Sequence, residues 1–184
     1  MKTVFMTIGP QGAGKSTFCK RVITAHSDII LLSRDKLIDE LFGGENGCCD
    51  SYSGAGAFVI DKLLEMTRQA LESGSSDTTI LLDCWTPDER HRDWMLRQLR
   101  ERGAERVIGL YFVTSLETTV RWFVKRECKD PLDTWRQESN ERVCRNNYGV
   151  FHCLAADVRE GKRFDAVRRI KPEQLELFPE FVVL

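Results

Sequence analysis

Apolar positions along this chain come in two spacings, and their alternation predicts the architecture before any motif is considered. Short, nearly continuous apolar runs at 3–8, 29–32, 79–83, 106–113 and 164–170 have the form of strands buried on both faces. Between and after them lie stretches with apolar residues every three or four positions, at 17–25, 35–42, 55–71, from Pro87 to Gly103, and at 116–127 and 132–146. Repeated strand-then-helix order predicts an α/β fold with helices on both faces of a parallel sheet. Pro87 is expected at a helix start, Gly74 and Gly103 at helix ends, and Pro172 in a turn after the last strand. No repeat, low-complexity segment or linker divides the chain, so residues 1–184 are read as one domain.

The first strand runs directly into Gly9-Pro10-Gln11-Gly12-Ala13-Gly14-Lys15-Ser16, a full Walker A pattern followed by a helical stretch. Glycines at these places let backbone N–H groups turn inward around a triphosphate. Lys15 reaches the terminal phosphates, and the Ser16 hydroxyl can ligate magnesium. Gly9, Gln11, Gly12, Ala13, Gly14, Lys15, Ser16 and Thr17 are therefore the candidate nucleotide contacts. The competing reading is an ordinary glycine-rich connection between a strand and a helix.

Two carboxylates extend this site. Asp83 ends an apolar strand, where a Walker B carboxylate helps hold the magnesium shell, or where an aspartate simply caps the next turn. Asp35 follows the second strand in Ser33-Arg34-Asp35-Lys36, and ligands of open α/β sheets bind beyond the carboxyl ends of the strands. A carboxylate there can take the proton of an acceptor hydroxyl, or it can be the N-cap of the following helix.

Charge and cysteine usage narrow the class. A formal net charge of −1 gives no support to indiscriminate nucleic-acid binding. Seven cysteines with no C-x-x-C pair resemble neither a disulfide framework nor a zinc site, so reduced thiols in a cytoplasmic protein are expected. The chain opens straight into a strand, and no apolar run reaches the length of a membrane span. Arg90, His91, Arg92, Arg97, Arg100, Arg102 and Arg106 form a basic series; intervening acids favour a solvated, ion-paired face over a nucleic-acid surface. His152-Cys153 near Cys144 favours packing and surface roles over metal.

With these residues in view, the chain resembles the kinase module of polynucleotide 5′-hydroxyl kinases and the small phosphate-loop kinases around it, which adjoin the zeta-toxin kinases. The resemblance rests on the loop, on Ser33-Arg34-Asp35, on Leu81-Leu82-Asp83 with Pro87-Asp88-Glu89-Arg90, and on the helix from Leu116-Glu117 to Lys125-Arg126. It covers about residues 3–126 and, more faintly, 161–170, where Phe164-Asp165 echoes a late element. It implies a P-loop three-layer sandwich with a five-stranded, mainly parallel sheet, a helical lid over about 116–146, ATP with Mg2+, Asp35 as general base and Arg126 as lid arginine.

Two departures stand out. The strand-ending aspartate continues as Asp83-Cys84-Trp85-Thr86, a shorter turn than the family's, which alters the acceptor pocket; Arg34, Asp35 and Thr86 are the candidate acceptor contacts. On the lid helix Trp122-Phe123 replace the family's Arg-Asn pair, leaving Arg121, Lys125 or a residue beyond Lys129 to supply the second lid cation. Trp85 and Trp122 are open to base or sugar stacking or to core packing. The expected activity is γ-phosphate transfer from ATP to a hydroxyl. A 5′-hydroxyl nucleic-acid end is favoured by the resemblance, and a sugar, nucleoside or antibiotic by the neutral charge and altered turn. An NTP-hydrolysing switch would use the same loop, but no N-K-x-D element is present for guanine. Residues 43–53 are either a mobile loop on the acceptor side or a long plain connection.

Overall fold

The computed structural model describes residues 1–43, 54–130 and 132–177, so the expected 43–53 loop, apart from Gly43, lies outside the described residues. The elements follow as β1 (Thr3–Ile8), α1 (Lys15–Ala25), β2 (Ile30–Ser33), α2 (Arg34–Phe42), α3 (Gly54–Ser73), β3 (Thr79–Asp83), α4 (Glu89–Glu101), β4 (Arg106–Phe112), α5 (Leu116–Glu127), α6 (Thr134–Cys153), α7 (Ala156–Arg159), β5 (Ala166–Ile170) and α8 (Pro172–Leu177). The strands form one all-parallel sheet in the order β2-β3-β1-β4-β5. This is the α/β fold with a parallel sheet that the alternation of short and long segments anticipated, and the five strands match the count that the resemblance implied.

Strand periodicity divides the core between the two sheet faces. Val4, Met6 and Ile8 of β1, with Ile80 and Leu82 of β3, pack against Leu63 and Leu64 of α3 and Met95 and Leu99 of α4. Phe5, Leu81, Ile108, Leu110 and Phe112 point to the other face and meet Phe18, Cys19 and Val22 of α1. Burying each such side chain stabilises the fold by about 1.5–3 kcal/mol, so both layers are needed to hold the strand ends in place. A smaller cluster of Val120, Phe123 and Cys144 joins α5 to α6.

Several boundaries differ from the sequence expectation for local reasons. Pro87 does not open a helix; Asp88 caps α4 by accepting from the His91 N–H at 2.8 Å, and the helix begins at Glu89. The helix expected over 132–146 starts later and continues to Cys153, past Asn146, Asn147 and Gly149, because Phe151 is buried in the main core. Pro172 opens a short helix rather than a turn, and Glu173 there accepts from the backbone and hydroxyl of Ser115, each at 2.9 Å. The last strand begins at Ala166, with Phe164 turned into the core before it. Among the described residues no helix is long and apolar enough to cross a membrane.

Candidate active site

β1 delivers the loop to the carboxyl edge of the sheet, between the ends of β3 and β4. Gly12 and Gly14 have φ of 83° and 87°, the left-handed region that favours glycine. Space reinforces that choice: a Cβ on Gly12 would lie 2.9 Å from the Thr119 carbonyl, and one on Gly14 3.0 Å from the Trp122 ring. Gly14 is the N-cap of α1 and brings no capping side chain, so the first N–H groups of α1 remain available to an anion. Thr114 at the end of β4 donates to the Ala13 carbonyl at 2.8 Å and holds the loop from behind. The Lys15 ammonium folds back onto its own loop, donating to the Gly9 and Pro10 carbonyls at 2.9 Å each.

The two carboxylates sit beside this loop. Strand register places Ser33 opposite Asp83, and the buried Asp83 accepts from the Thr7 hydroxyl at 3.1 Å. The cap of α2 is Ser33, whose hydroxyl accepts from the Lys36 N–H at 3.4 Å, so Asp35 is not the cap. Asp35 lies in the first turn of α2 with an exposed carboxylate, and Arg34 approaches it at 3.3 Å.

Gln11, Gly12, Ala13, Gly14, Lys15, Ser16, Thr17, Arg34, Asp35, Asp83 and Arg126 all line one cleft of 1320 Å³. Two expected contacts do not reach it. Gly9 lies behind the loop against Phe112 and contributes its carbonyl to Lys15. Thr86 is buried, its hydroxyl has no hydrogen-bond partner among the described residues, and its carbonyl faces Arg92. The turn after β3 instead presents Trp85, whose ring lies 5.9 Å from the Lys15 nitrogen.

On α5, Lys125 and Arg126 line the cleft, and Arg126 also pairs with Glu127 at 2.6 Å and lies over Phe123. Arg121 faces elsewhere, lining a shallow depression with Val124 and Cys128. Trp122 packs toward Gly14 and Pro172, at the edge of the loop. α5 is itself held by α6, through Glu117 with Arg145 at 3.1 Å and through Tyr148, which donates to the Thr114 carbonyl at 3.0 Å.

Charge is distributed unevenly in the cleft. Lys15, Lys20, Arg21, Lys125 and Arg126 come from α1 and α5, while Asp35, Asp39 and Asp83 come from the β2–β3 side. Burial holds the Lys15 ammonium below its ordinary pKa, an effect that Asp83 and Asp35 oppose and Arg126 reinforces. Burial, aided by Asp83, pushes the Cys84 thiol up to about 12, so it lines the cleft as an inert group. Among the described residues no cluster of three His, Cys, Asp or Glu side chains could hold a metal ion unaided. A magnesium ion arriving on a triphosphate needs fewer protein ligands, and the Ser16 hydroxyl and Asp83 carboxylate on the cleft are hard oxygen donors that suit it.

One member of the basic series departs from its expected solvated face. Arg92 is fully buried and binds the buried Asp157 through a two-pronged pair, with Nε to Oδ2 at 2.8 Å, while also donating to the Thr86 and Leu154 carbonyls. It thereby ties the turn after β3 to the end of α6, the two segments that wall the cleft on that side. Its neighbours keep exposed pairs, such as Arg97 with Asp93 at 3.4 Å. His152 packs on Tyr148 and lies 3.2 Å from the Tyr111 hydroxyl.

Solved structures share this fold. A candidate kinase from Chloroflexus aurantiacus matches with a TM-score of 0.62 at 17% identity, over 98% of this chain and 88% of its own. A fungal RNA kinase matches at 0.57 and 16% identity, over 97% and 88%. A chain of the Pnkp1/Rnl/Hen1 RNA repair complex matches at 0.53 and 17% identity, over 79% of this chain but only 45% of that one. At these identities the likeness establishes the fold. No curated protein matches the sequence. Residues 4–144 match the AAA_33 family, described as an AAA domain, and with the loop and sheet in place the chain belongs to this family of P-loop kinase fold.

Proposed function

We propose that the protein is an ATP-dependent phosphotransferase that moves the γ-phosphate to an acceptor hydroxyl. The observation that carries this reading is the meeting, in one cleft, of a glycine-shaped phosphate loop with Lys15 and an exposed carboxylate, Asp35, at the mouth of β2. A hydrolytic switch needs the first feature but not the second.

In this mechanism the amides of the loop and the first turn of α1 hold the β- and γ-phosphates. Lys15 leaves the Gly9 and Pro10 carbonyls and turns to the phosphates; its lowered pKa reflects burial that an incoming polyanion offsets. Ser16 and Asp83 would hold magnesium, which when bound would neutralise phosphate charge. Asp35 accepts the hydroxyl proton as the acceptor oxygen forms its bond to the γ-phosphorus and the bond to the β–γ bridging oxygen breaks, releasing ADP. Arg126, with Lys125 beside it, covers the transferring group, and α5 with the first part of α6, within 116–146, acts as the lid. The free thiols among the described residues support a reducing compartment such as the cytoplasm.

Two acceptors are consistent with this chemistry. A polynucleotide 5′-hydroxyl end is supported by the sequence resemblance and by the RNA kinase and RNA repair likenesses. A small hydroxyl compound needs no track for a phosphodiester backbone. The reaction itself is tested by Asp35→Asn, with ATP binding followed separately from transfer. ATP affinity within a few-fold of wild type and transfer lowered by about a hundredfold or more is the expected result. Intact transfer from bound ATP would remove Asp35 from the chemistry.

A further inference from the structure

The acceptor side of the cleft has a composition that the phosphate loop does not explain. Beyond Lys15 and Asp35 it is walled by Ile38 of α2, Trp85 and Pro87 of the turn after β3, and Val150, Phe151 and Leu154 of α6. Val150 and Leu154 are 51% and 45% exposed, a degree unusual for large apolar side chains inside a concave site. Arg92 fixes this wall from behind by binding the carbonyls of both Thr86 and Leu154, so the surface is a built feature and not a frayed end.

Charge on this side is equally specific. Arg34 is the cation that α2 and the β3 turn contribute to the cleft, and it is largely buried with Asp35 at 3.3 Å. Asp35, Asp39 and Asp83 lie around it. The other cations of the cleft belong to α1 and α5, on the nucleotide side. A nucleic-acid strand leaving the active site would run along an apolar, acidic wall, against the requirement for neutralised phosphates.

Resting on the phosphotransferase reading, we propose that the acceptor is an uncharged small molecule whose hydroxyl is borne by a substituent of a flat or apolar ring, the ring seated on the Trp85 indole. The Lys15 ammonium lies over the indole, 5.9 Å from its centroid; once Lys15 turns to the phosphates, that face opens to an acceptor ring on the cleft that Asp35 also lines. Asn147, on the same wall, offers an amide to a polar substituent of that ring.

The test offers the full-length protein, with ATP and magnesium, four probes: uridine, benzyl alcohol, glucose and a 5′-hydroxyl hexanucleotide. Transfer is read by product mass, and ATP binding is read separately by titration. The expected result is transfer to uridine or benzyl alcohol in preference to glucose and the hexanucleotide, with an acceptor KM that changes less than about twofold from 50 to 300 mM salt, since no phosphate counterions are released. Trp85→Ala should raise that KM by about tenfold or more with ATP affinity within a few-fold, and Trp85→Phe should restore most of it. Labelling of the hexanucleotide in preference to the ring compounds, of glucose alone, or of none of the four while ATP still binds, overturns the acceptor assignment. Loss of the ATP-binding signal in the wild-type protein overturns the phosphotransferase reading instead.

Discussion

Removal of the Arg92 guanidinium should cost more than any other single change on α4, and the structure sets the scale. Arg92 and Asp157 are 0% and 5% exposed, and the fork that joins them also donates to the Thr86 and Leu154 carbonyls. Arg92→Ala leaves a buried carboxylate and two carbonyls without the donor that serves all three. Breaking one partner of such a pair costs about 3–5 kcal/mol, a large part of the total stability of a domain this size. At about 2–4 °C per kcal/mol the melting temperature should fall by roughly 10 °C. Urea unfolding, with the slope checked to be unchanged, reads this directly. Asp157→Asn should lose less, because the amide oxygen still accepts from the guanidinium. Replacing both partners, Arg92→Met with Asp157→Leu, should recover much of the loss, since apolar groups of similar volume need no partner. A loss under about 1 kcal/mol for Arg92→Ala, or a double variant as unstable as the single, would refute the reasoning.

Three further outcomes follow from the same geometry. Arg126→Ala should lower phosphoryl transfer by about a hundredfold or more and Arg121→Ala by far less, because only Arg126 lines the cleft; single-turnover assays give the ranking. Lys15→Met should raise the stability of the nucleotide-free protein near neutral pH while removing its stabilisation by ATP, and paired melting curves with and without ATP show both. The sign follows from burial: the folded state sheds the Lys15 proton more readily than the unfolded chain, whose lysine titrates near 10.5, so stability rises with pH between the lowered folded value and that point, and Lys15→Met should flatten the rise. Gly12→Ala should weaken ATP binding by about tenfold or more, since φ of 83° and the Thr119 carbonyl at 2.9 Å both oppose a side chain there; titration with ATP measures it.

What the sequence revealed, and what it concealed, divides along physical lines. β1, β3, β4 and the loop were legible because continuous apolar runs and closely spaced glycines are local signals, and Asp83 followed from its place at a strand end. Asp35 was placed beyond β2 by its position in the sequence, but its separation from the capping role required seeing Ser33 bonded to Lys36. Arg92 was hidden among arginines of similar spacing, and its partner is 65 residues away in sequence. The length of α6 was missed because Asn146, Asn147 and Gly149 carry stop signals that the packing of Phe151 overrides. Thr86 and Trp85 are adjacent, and sequence alone does not say which of two neighbours in a turn faces the cleft. The structure turns Trp85 toward Lys15 and buries Thr86.

The most direct test of the central claim is rapid-quench single turnover with ATP labelled at the γ-position, comparing wild-type protein with a folded Lys15→Ala variant at saturating acceptor. The wild type should give a labelled phosphoester product and the variant a rate lower by about a hundredfold or more, since Lys15 lines the cleft beside the glycine-shaped loop. Near-normal transfer by Lys15→Ala, or release of labelled inorganic phosphate by the wild type with no acceptor product, would contradict it.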